Sequence, residues 1–299
     1  MTPIFVAEVS SNHNRDLQRC FEFIDTAAAI GCDAVKFQLF KIEELFAPEI
    51  LAKSAAHRKR KEWELPVEFV PLLSDRCRKK NIQFSCTPFY IDAVTELLPY
   101  IDFYKIASYE LLWNDLLVAC AQTGKPLVLS TGMAKLKEVK GAVEAIITAG
   151  CKDLTLLHCV SGYPTPVGEC NLAAIQTMRR KFAGPASLHR DPQKAHVIKI
   201  GWSDHSVCPG VLYRAIHRWG AEMIEFHLDL DGTGEEFKTG HCWLPEQIKT
   251  VIEAVRTGFA ADGTGIKKPA QSEISDCDWR ADPSDGLRPL LKIRKNWSQ

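Results

Sequence analysis

Residues 103–131 read FYKIASYELLWNDLLVACAQTGKPLVLST. An apolar run, Phe103–Ile106, leads to Ser108 and Glu110. An amphipathic stretch, Leu112–Thr123, stops at Gly124, and a second apolar run, Leu127–Ser130, follows. Runs that are apolar on consecutive positions suit parallel strands buried on both faces, and a glycine after a helix accepts the left-handed turn that ends it. The same strand–helix alternation extends in both directions. Strands are expected at Ile4–Val9, Ala34–Gln38 and Ile82–Cys86 before this unit, and at Leu154–Cys159, Ile198–Ser203 and Met223–His227 after it. Helices are expected at Leu17–Ile30, Pro66–Lys80, Ile91–Leu98, Ala134–Gly150, Asn171–Phe182, Pro209–Gly220 and Pro245–Gly258. Eight such units in roughly 260 residues indicate an α/β protein of the (β/α)8 (TIM) barrel class. A doubly wound open sheet is the alternative, but it would place a Gly-rich phosphate turn after the first strand, where this sequence has Ser10-Ser11-Asn12. The expected organisation is a barrel domain over 1–259 and a short irregular tail over 260–299, rich in Gly, Pro, Asp, Lys and Ser. Two connections, 40–65 and 159–171, are long enough to suggest a functional role.

The chain has 299 residues, with 37 Lys+Arg balanced by 37 Asp+Glu and 46% hydrophobic residues, as in a soluble globular protein with a full core. The balance of charge argues against nucleic-acid or anionic-membrane partners. The densest basic run, His57–Lys61, reads as a solvated face. Eleven cysteines are scattered from Cys20 to Cys277 without a CxxC pair, which fits reduced, buried thiols in a cytoplasmic protein better than a disulfide framework. The N-terminus lacks a signal-peptide pattern, and no apolar run reaches the roughly 20 residues of a membrane span.

Barrel chemistry sits at the C-terminal ends of the strands. There the sequence places Glu8; Lys36 and Gln38; Thr87; Lys105 and Ser108; Ser130 and Thr131; Cys159 and Ser161; Ser203, Asp204 and His205; and His227. Lys36 and Lys105 lie in or beside very apolar strands, where an ammonium needs an anionic partner. With the nearby hydroxyls they suit a phosphate or carboxylate ligand. The plainer reading is internal ion pairing, for instance Lys36 to Glu8. His205 and His227 end neighbouring strands and suit a divalent ion such as Mn, Fe or Zn, although a lone strand-end His more often only hydrogen-bonds. Glu8, on the first strand next to the eighth, suits either the surroundings of that metal or acid–base work, and Glu110 is a further carboxylate candidate whose plainer reading is a surface Glu. Tyr163, in the rigid turn Gly162–Pro166, either contacts a ligand or packs, and His158 reads as a core residue.

Eight motifs occur in order, one per strand: AEVSSNHN (7–14), AVKFQLF (34–40), SCTPF (85–89), YKIASYE (104–110), LSTGM (129–133), HCVSGYPTP (158–166), GWSDHS (201–206) and IEFHLDLD (224–231). Together they resemble the sialic acid (N-acetylneuraminate) synthase family, over its barrel domain only. The resemblance implies metal-dependent condensation of phosphoenolpyruvate with the open-chain aldehyde of N-acetylmannosamine or a related amino sugar, giving a nonulosonate-type α-keto acid and phosphate. It further implies that Lys36, Gln38, Thr87, Lys105, Ser108, Ser130 and Ser203 hold phosphoenolpyruvate. In the same way Tyr163 contacts the sugar, His205 and His227 bind the metal, usually Mn²⁺, and Glu8 and Glu110 stand near the reacting carbons. A homodimer is left open. Departures fall on the sugar side. Ser161 stands where the family has Asn, and Phe237-Lys238-Thr239-Gly240 replaces a Gly-Pro-Asp-His stretch, with Lys238 at the Asp position and Glu235 or Glu236 as substitutes. The family's C-terminal antifreeze-like domain, which lends an Arg to the partner subunit's sugar site, is expected to be lacking. A different or smaller aldose acceptor follows. Two alternatives stay open: a Schiff-base aldolase or lyase using Lys36 or Lys105, and a non-catalytic sugar-phosphate-binding barrel.

Overall fold

A computed structural model describes residues 2–183 and 197–297. Eight parallel strands, β1 (Ile4–Glu8), β2 (Ala34–Leu39), β3 (Gln83–Pro88), β4 (Phe103–Ile106), β5 (Leu127–Ser130), β6 (Asp153–Cys159), β7 (Val197–Asp204) and β8 (Met223–Leu228), run in sequence order, with helices on the connections between them. Pairing of β1 with β8, Ile4 opposite Met223 through Glu8 opposite His227, closes the sheet. Closure excludes the open doubly wound alternative and makes the fold a (β/α)8 barrel. Gly201 lets β7 and β8 approach: a Cβ there would stand 2.4 Å from the Met223 carbonyl oxygen and 2.6 Å from Leu157 Cδ2.

The helices follow the apolar periodicity with local adjustments. Asp16 caps Leu17–Ala29 by accepting from the Arg19 amide at 3.1 Å. The stretch from Pro66 opens as a 3₁₀ turn, Val67–Phe69, and becomes α-helical only at Val70–Lys80, with Pro71 in its first turn, where no backbone N–H is needed. Pro209–Tyr213 is followed by a π-helical turn, Arg214–Arg218, which widens the helix just before Gly220. One short strand was not expected from the sequence. β9 (Cys242–Trp243) pairs with β8, placing Cys242 opposite His227. It is anchored by the Trp243 indole, which donates to Asp204 at 3.0 Å, while Trp202 donates to the same fully buried carboxylate at 3.1 Å. Asp204, one of the strand-end groups, is thereby a structural tie.

Side chains alternate between the two faces of a strand. Val6, Ala34, Phe103, Val128, Leu157 and Met223 form one buried apolar layer. Two positions further along the same strands stand Glu8, Lys36, Lys105, Ser130, Cys159 and Glu225, and all six line one cavity. The barrel thus changes from an apolar layer to a polar one in a single step of the strand repeat.

The chain divides into two compact units, Met1–Thr257 and Gly258–Gln299. The second carries the residues expected as an irregular tail, and it contains a 3₁₀ helix, Gln271–Trp279, and a short α-helix, Leu291–Arg294. It is tied by ion pairs of Lys292 with Asp278 (2.6 Å) and Arg294 with Asp285 (2.8 Å), and by an edge-to-face contact of Trp279 with Trp297. Among the described residues no helix is long and apolar enough to cross a membrane.

Candidate active site

The strand ends open into a cavity of about 770 Å³. Of the residues singled out from the sequence, Glu8, Lys36, Gln38, Lys105, Ser108, Glu110, Ser130, Tyr163, Ser203, His205 and His227 line it. Thr87 does not. It is fully buried behind Lys36, within hydrogen-bond reach of the ammonium at 3.4 Å, so it positions that lysine and is not part of the cavity wall.

The deepest layer is a four-charge network. Lys36 pairs with Glu8 and lies 3.9 Å from Glu225, while Lys105 pairs with Glu225 at 3.1 Å. The ion pair between Lys36 and Glu8 considered from the sequence is therefore present, and the two lysines do not form a bare cationic ring. Glu225 was not among the residues singled out from the sequence. Its signal was available: a carboxylate inside an apolar strand, two positions before His227 and so on the same face. Burial opposes the charge on Lys36, but Glu225 and Glu8 outweigh it and raise its pKa. For Lys105 burial is the larger influence and lowers the pKa despite Glu225. Burial alone would raise Glu225, yet Lys105 and Lys36 hold it below the usual carboxylate range. Ser203 donates to Glu225 at 3.1 Å, and Gln38 donates to Glu8 at 2.6 Å.

Around this layer stand groups with unused hydrogen-bonding capacity. The Ser130 hydroxyl, the Ser161 hydroxyl and Glu110 Oε2 are buried without a hydrogen-bond partner among the described residues. Ser108 accepts from the Gly132 amide at 2.9 Å. A Cβ at position 132 would meet Ser161 Oγ at 2.3 Å and Ser108 Oγ at 2.9 Å, so any larger residue there would displace these two hydroxyls. Burial pushes the Glu110 carboxyl up to about 7, against the opposing pull of its backbone N–H and Lys105. A carboxyl titrating there can both give and take a proton near neutrality.

His205 and His227 face one another with ring centroids 5.3 Å apart, and Tyr163 packs over His205 at 4.1 Å. The Nδ1 of His205 lies 2.7 Å from the Val160 carbonyl, and that of His227 lies 2.8 Å from Glu236. A carbonyl and a carboxylate only accept, so both Nδ1 atoms carry the proton, and in the neutral ring Nε2 keeps its lone pair. Burial, helped by His227, lowers His205 to about 3, so it is neutral at physiological pH. Burial opposes the charge on His227, whereas Glu236 raises its pKa. An imidazole oriented through Nδ1 by a carboxylate is the usual support of a metal-binding histidine. Sequence reading named Glu236 only as one substitute for a sugar contact and passed over His241. Donor atoms of His227, Glu236, His241 and Cys242 all lie within 4.8 Å of one another. Glu236 also accepts from the Ser11 amide (3.2 Å) and hydroxyl (2.8 Å) and lies 3.5 Å from His241 Nε2. His205 lies outside that group of four, and burial keeps the Cys242 thiol protonated, so the donors suited to a borderline divalent ion are the imidazoles and the carboxylate.

The long connection after β2 supplies the outer wall through Phe40, Phe46, His57, Arg60 and Trp63. The basic run 57–61 is therefore only partly the solvated face expected of it. His158, buried and bonded to the Cys170 carbonyl at 3.0 Å, is a core residue.

Residues 23–267 match the model of the NeuB family, and the chain belongs to that family. It is 31% identical over 287 residues to the N,N'-diacetyllegionaminic acid synthase of Campylobacter jejuni, covering 90% of this chain and 80% of that protein. It is 30% identical over 276 residues to the pseudaminic acid synthase of Helicobacter pylori, covering 87% and 76%. Among solved structures it is similar to the N-acetylneuraminic acid (sialic acid) synthetase of Leptospira borgpetersenii in complex with citrate, at a TM-score of 0.76 and 30% identity, covering 94% of this chain and 93% of that one.

Proposed function

We propose that this NeuB-family barrel is a synthase condensing phosphoenolpyruvate with the open-chain aldehyde of N-acetylmannosamine or a related amino sugar, to give a nonulosonate-type α-keto acid and phosphate. The observation that carries the reading is the meeting, in one cavity, of the Lys36–Glu8–Lys105–Glu225 layer with the facing pair His205 and His227. Family membership adds that relatives matched over most of this chain are named as synthases of legionaminic and pseudaminic acids.

Lys36 and Lys105, with the hydroxyls of Ser108, Ser130 and Ser203 and the amide of Gln38, would hold the phosphate and carboxylate of phosphoenolpyruvate, while Thr87 supports Lys36 from behind. Charge-assisted hydrogen bonds from buried donors suit a doubly anionic ligand, and the unpartnered Ser130 hydroxyl has capacity for one. His205 and His227 would hold a divalent ion, which we take to be Mn²⁺, with Glu236 orienting His227. Such an ion, when bound, supplies Lewis-acid polarisation of the acceptor's carbonyl. Carbon 3 of phosphoenolpyruvate attacks the aldehyde carbon, water adds at carbon 2, and the carbon–oxygen bond to phosphate breaks. Glu110, titrating near neutrality, and Glu8 are placed to move the protons of aldehyde and water. Tyr163 packs against the acceptor. The eleven free cysteines, nine of them buried, support a cytoplasmic location.

The test is phosphate release from phosphoenolpyruvate with Mn²⁺ across a panel of aldoses including N-acetylmannosamine. Absence of release with every acceptor in the panel sinks the proposal. Lys105, whose pKa burial lowers, is the residue a Schiff-base aldolase would use. Borohydride reduction in the presence of pyruvate should leave the protein unmodified, and a covalent adduct would favour that second mechanism.

A further inference from the structure

We infer that Arg60, on the connection between β2 and β3, is a specificity-determining residue that receives an oxyanion, a phosphate or a carboxylate, carried by the acceptor aldose away from its reacting carbon. The inference rests on the condensing reading above and names the acceptor class that its cavity takes.

Arg60 lines the cavity, yet it has no carboxylate or carbonyl partner among the described residues. Two other cations of the basic run do. Arg58 donates to the Leu51 and Ala52 carbonyls, and Lys61 pairs with Glu43 at 2.6 Å and Glu64 at 3.8 Å. The cations deeper in the cavity are also committed, Lys36 to Glu8 and Lys105 to Glu225. Arg60 is therefore the lining arginine whose charge is not already answered from within the protein.

It is nevertheless held in place. The guanidinium carbon lies 5.5 Å from the Phe46 ring centroid and 5.3 Å from that of Trp63. Contacts with aromatic faces engage the guanidinium through its π-surface and leave the in-plane N–H fork available. That fork matches two oxygens of a phosphate or carboxylate at once. His57 lines the same wall, its Nδ1 engaged by Ser54 at 2.7 Å and its ring edge-on to Phe46 at 4.8 Å. Its Nε2 has no partner among the described residues and can add a further hydrogen bond to the same anion. A neutral sugar would leave this pre-ordered fork without a matching ligand group.

The experiment compares three ligands by titration calorimetry on the full chain with Mn²⁺: N-acetylmannosamine, its 6-phosphate, and the corresponding 6-carboxylate (uronate). The parent protein should bind at least one anionic aldose about 10- to 100-fold more tightly than the neutral one, and the stronger of the two identifies the anion. Arg60→Ala should remove that advantage while changing neutral-aldose binding less than about twofold. Arg60→Lys should recover only part of it, because an ammonium lacks the planar fork. In turnover, the KM for the anionic acceptor should rise by the same factor, with kcat and the KM for phosphoenolpyruvate unchanged. Neutral aldose bound as tightly as both anionic ones overturns the inference, and so does an Arg60→Ala variant that weakens all three ligands equally. Binding is read independently of turnover, so absent phosphate release would remove the condensing reading while the Arg60 measurement still decides its own question.

Discussion

Glu8, Lys36, Lys105 and Glu225 stand on four strands and are 1–4% exposed, each engaged in an ion pair. His57 stands on a short helix, Ala55–Lys59, and Arg60 and Trp63 on the 3₁₀ turn Arg60–Trp63 that follows it; Trp63 is 36% exposed, yet all three line the same cavity. Strand-borne charges in a low-dielectric layer have to be answered by one another, since an unpaired buried charge costs several kcal/mol or more. Charges on this outer connection keep their hydration and can leave donors free for a ligand. The deep layer is thus a fixed, self-neutralised platform, and the outer wall is the part able to discriminate between acceptors.

The largest effect that can test this division is at the histidines between the two regions. His205→Ala or His227→Ala should lower phosphate release by about 10³-fold or more, taking several kcal/mol as the worth of a bound metal, and should abolish Mn²⁺ binding in calorimetry. Unchanged activity in either variant removes the metal role. Next comes the deep layer. Glu225→Gln leaves Lys105 without its carboxylate and Lys36 with one fewer, and should cost roughly 3 to 5 kcal/mol in urea denaturation. A loss below about 1 kcal/mol would mean that the layer is solvated like the rim.

Glu110 sharpens the comparison through pH. Burial raises its folded pKa from the ordinary carboxyl value of 4.5 to about 7. Above the unfolded value the unfolded chain gives up this proton while the folded chain retains it, so stability falls as pH rises between about 4.5 and 7 and then levels off. The full effect is about 3 kcal/mol at 1.36 kcal/mol per unit. Glu110→Gln should flatten that part of the stability–pH curve, and an unchanged curve would place Glu110 in a solvated setting. The smallest expected effect is the 10- to 100-fold acceptor discrimination assigned to Arg60, which leaves the deep layer untouched.

How legible these regions were in the sequence differs for the same physical reason. Strand residues obey a period of two, so Lys36 and Lys105 stood out as charges in apolar runs, and Glu225 could have been found by the identical rule. It lies within the strand, two positions before the strand-end His227. Thr87 was placed on the correct strand, but only packing decided that it faces Lys36 and not the cavity. His57 and Arg60 read from the sequence as solvent-facing charges, since helical segments of five and four residues are too short to show a period that gives direction. Glu236 and His241 reach His227 because the two-residue strand β9 pairs with β8, and a pairing that short leaves no hydrophobic pattern.

By itself, then, the sequence determined the barrel, its eight strands, the polar layer and the pair of strand-end histidines, because alternation along a buried strand ties position directly to environment. Only the tertiary structure decided that the two lysines are neutralised in place, that His227 is braced by Glu236, and that an unpaired arginine lies between two aromatic rings at the cavity wall. Those facts depend on which side chains distant in sequence meet in space, and closure of the barrel with the folding of its loops sets that, not any local period.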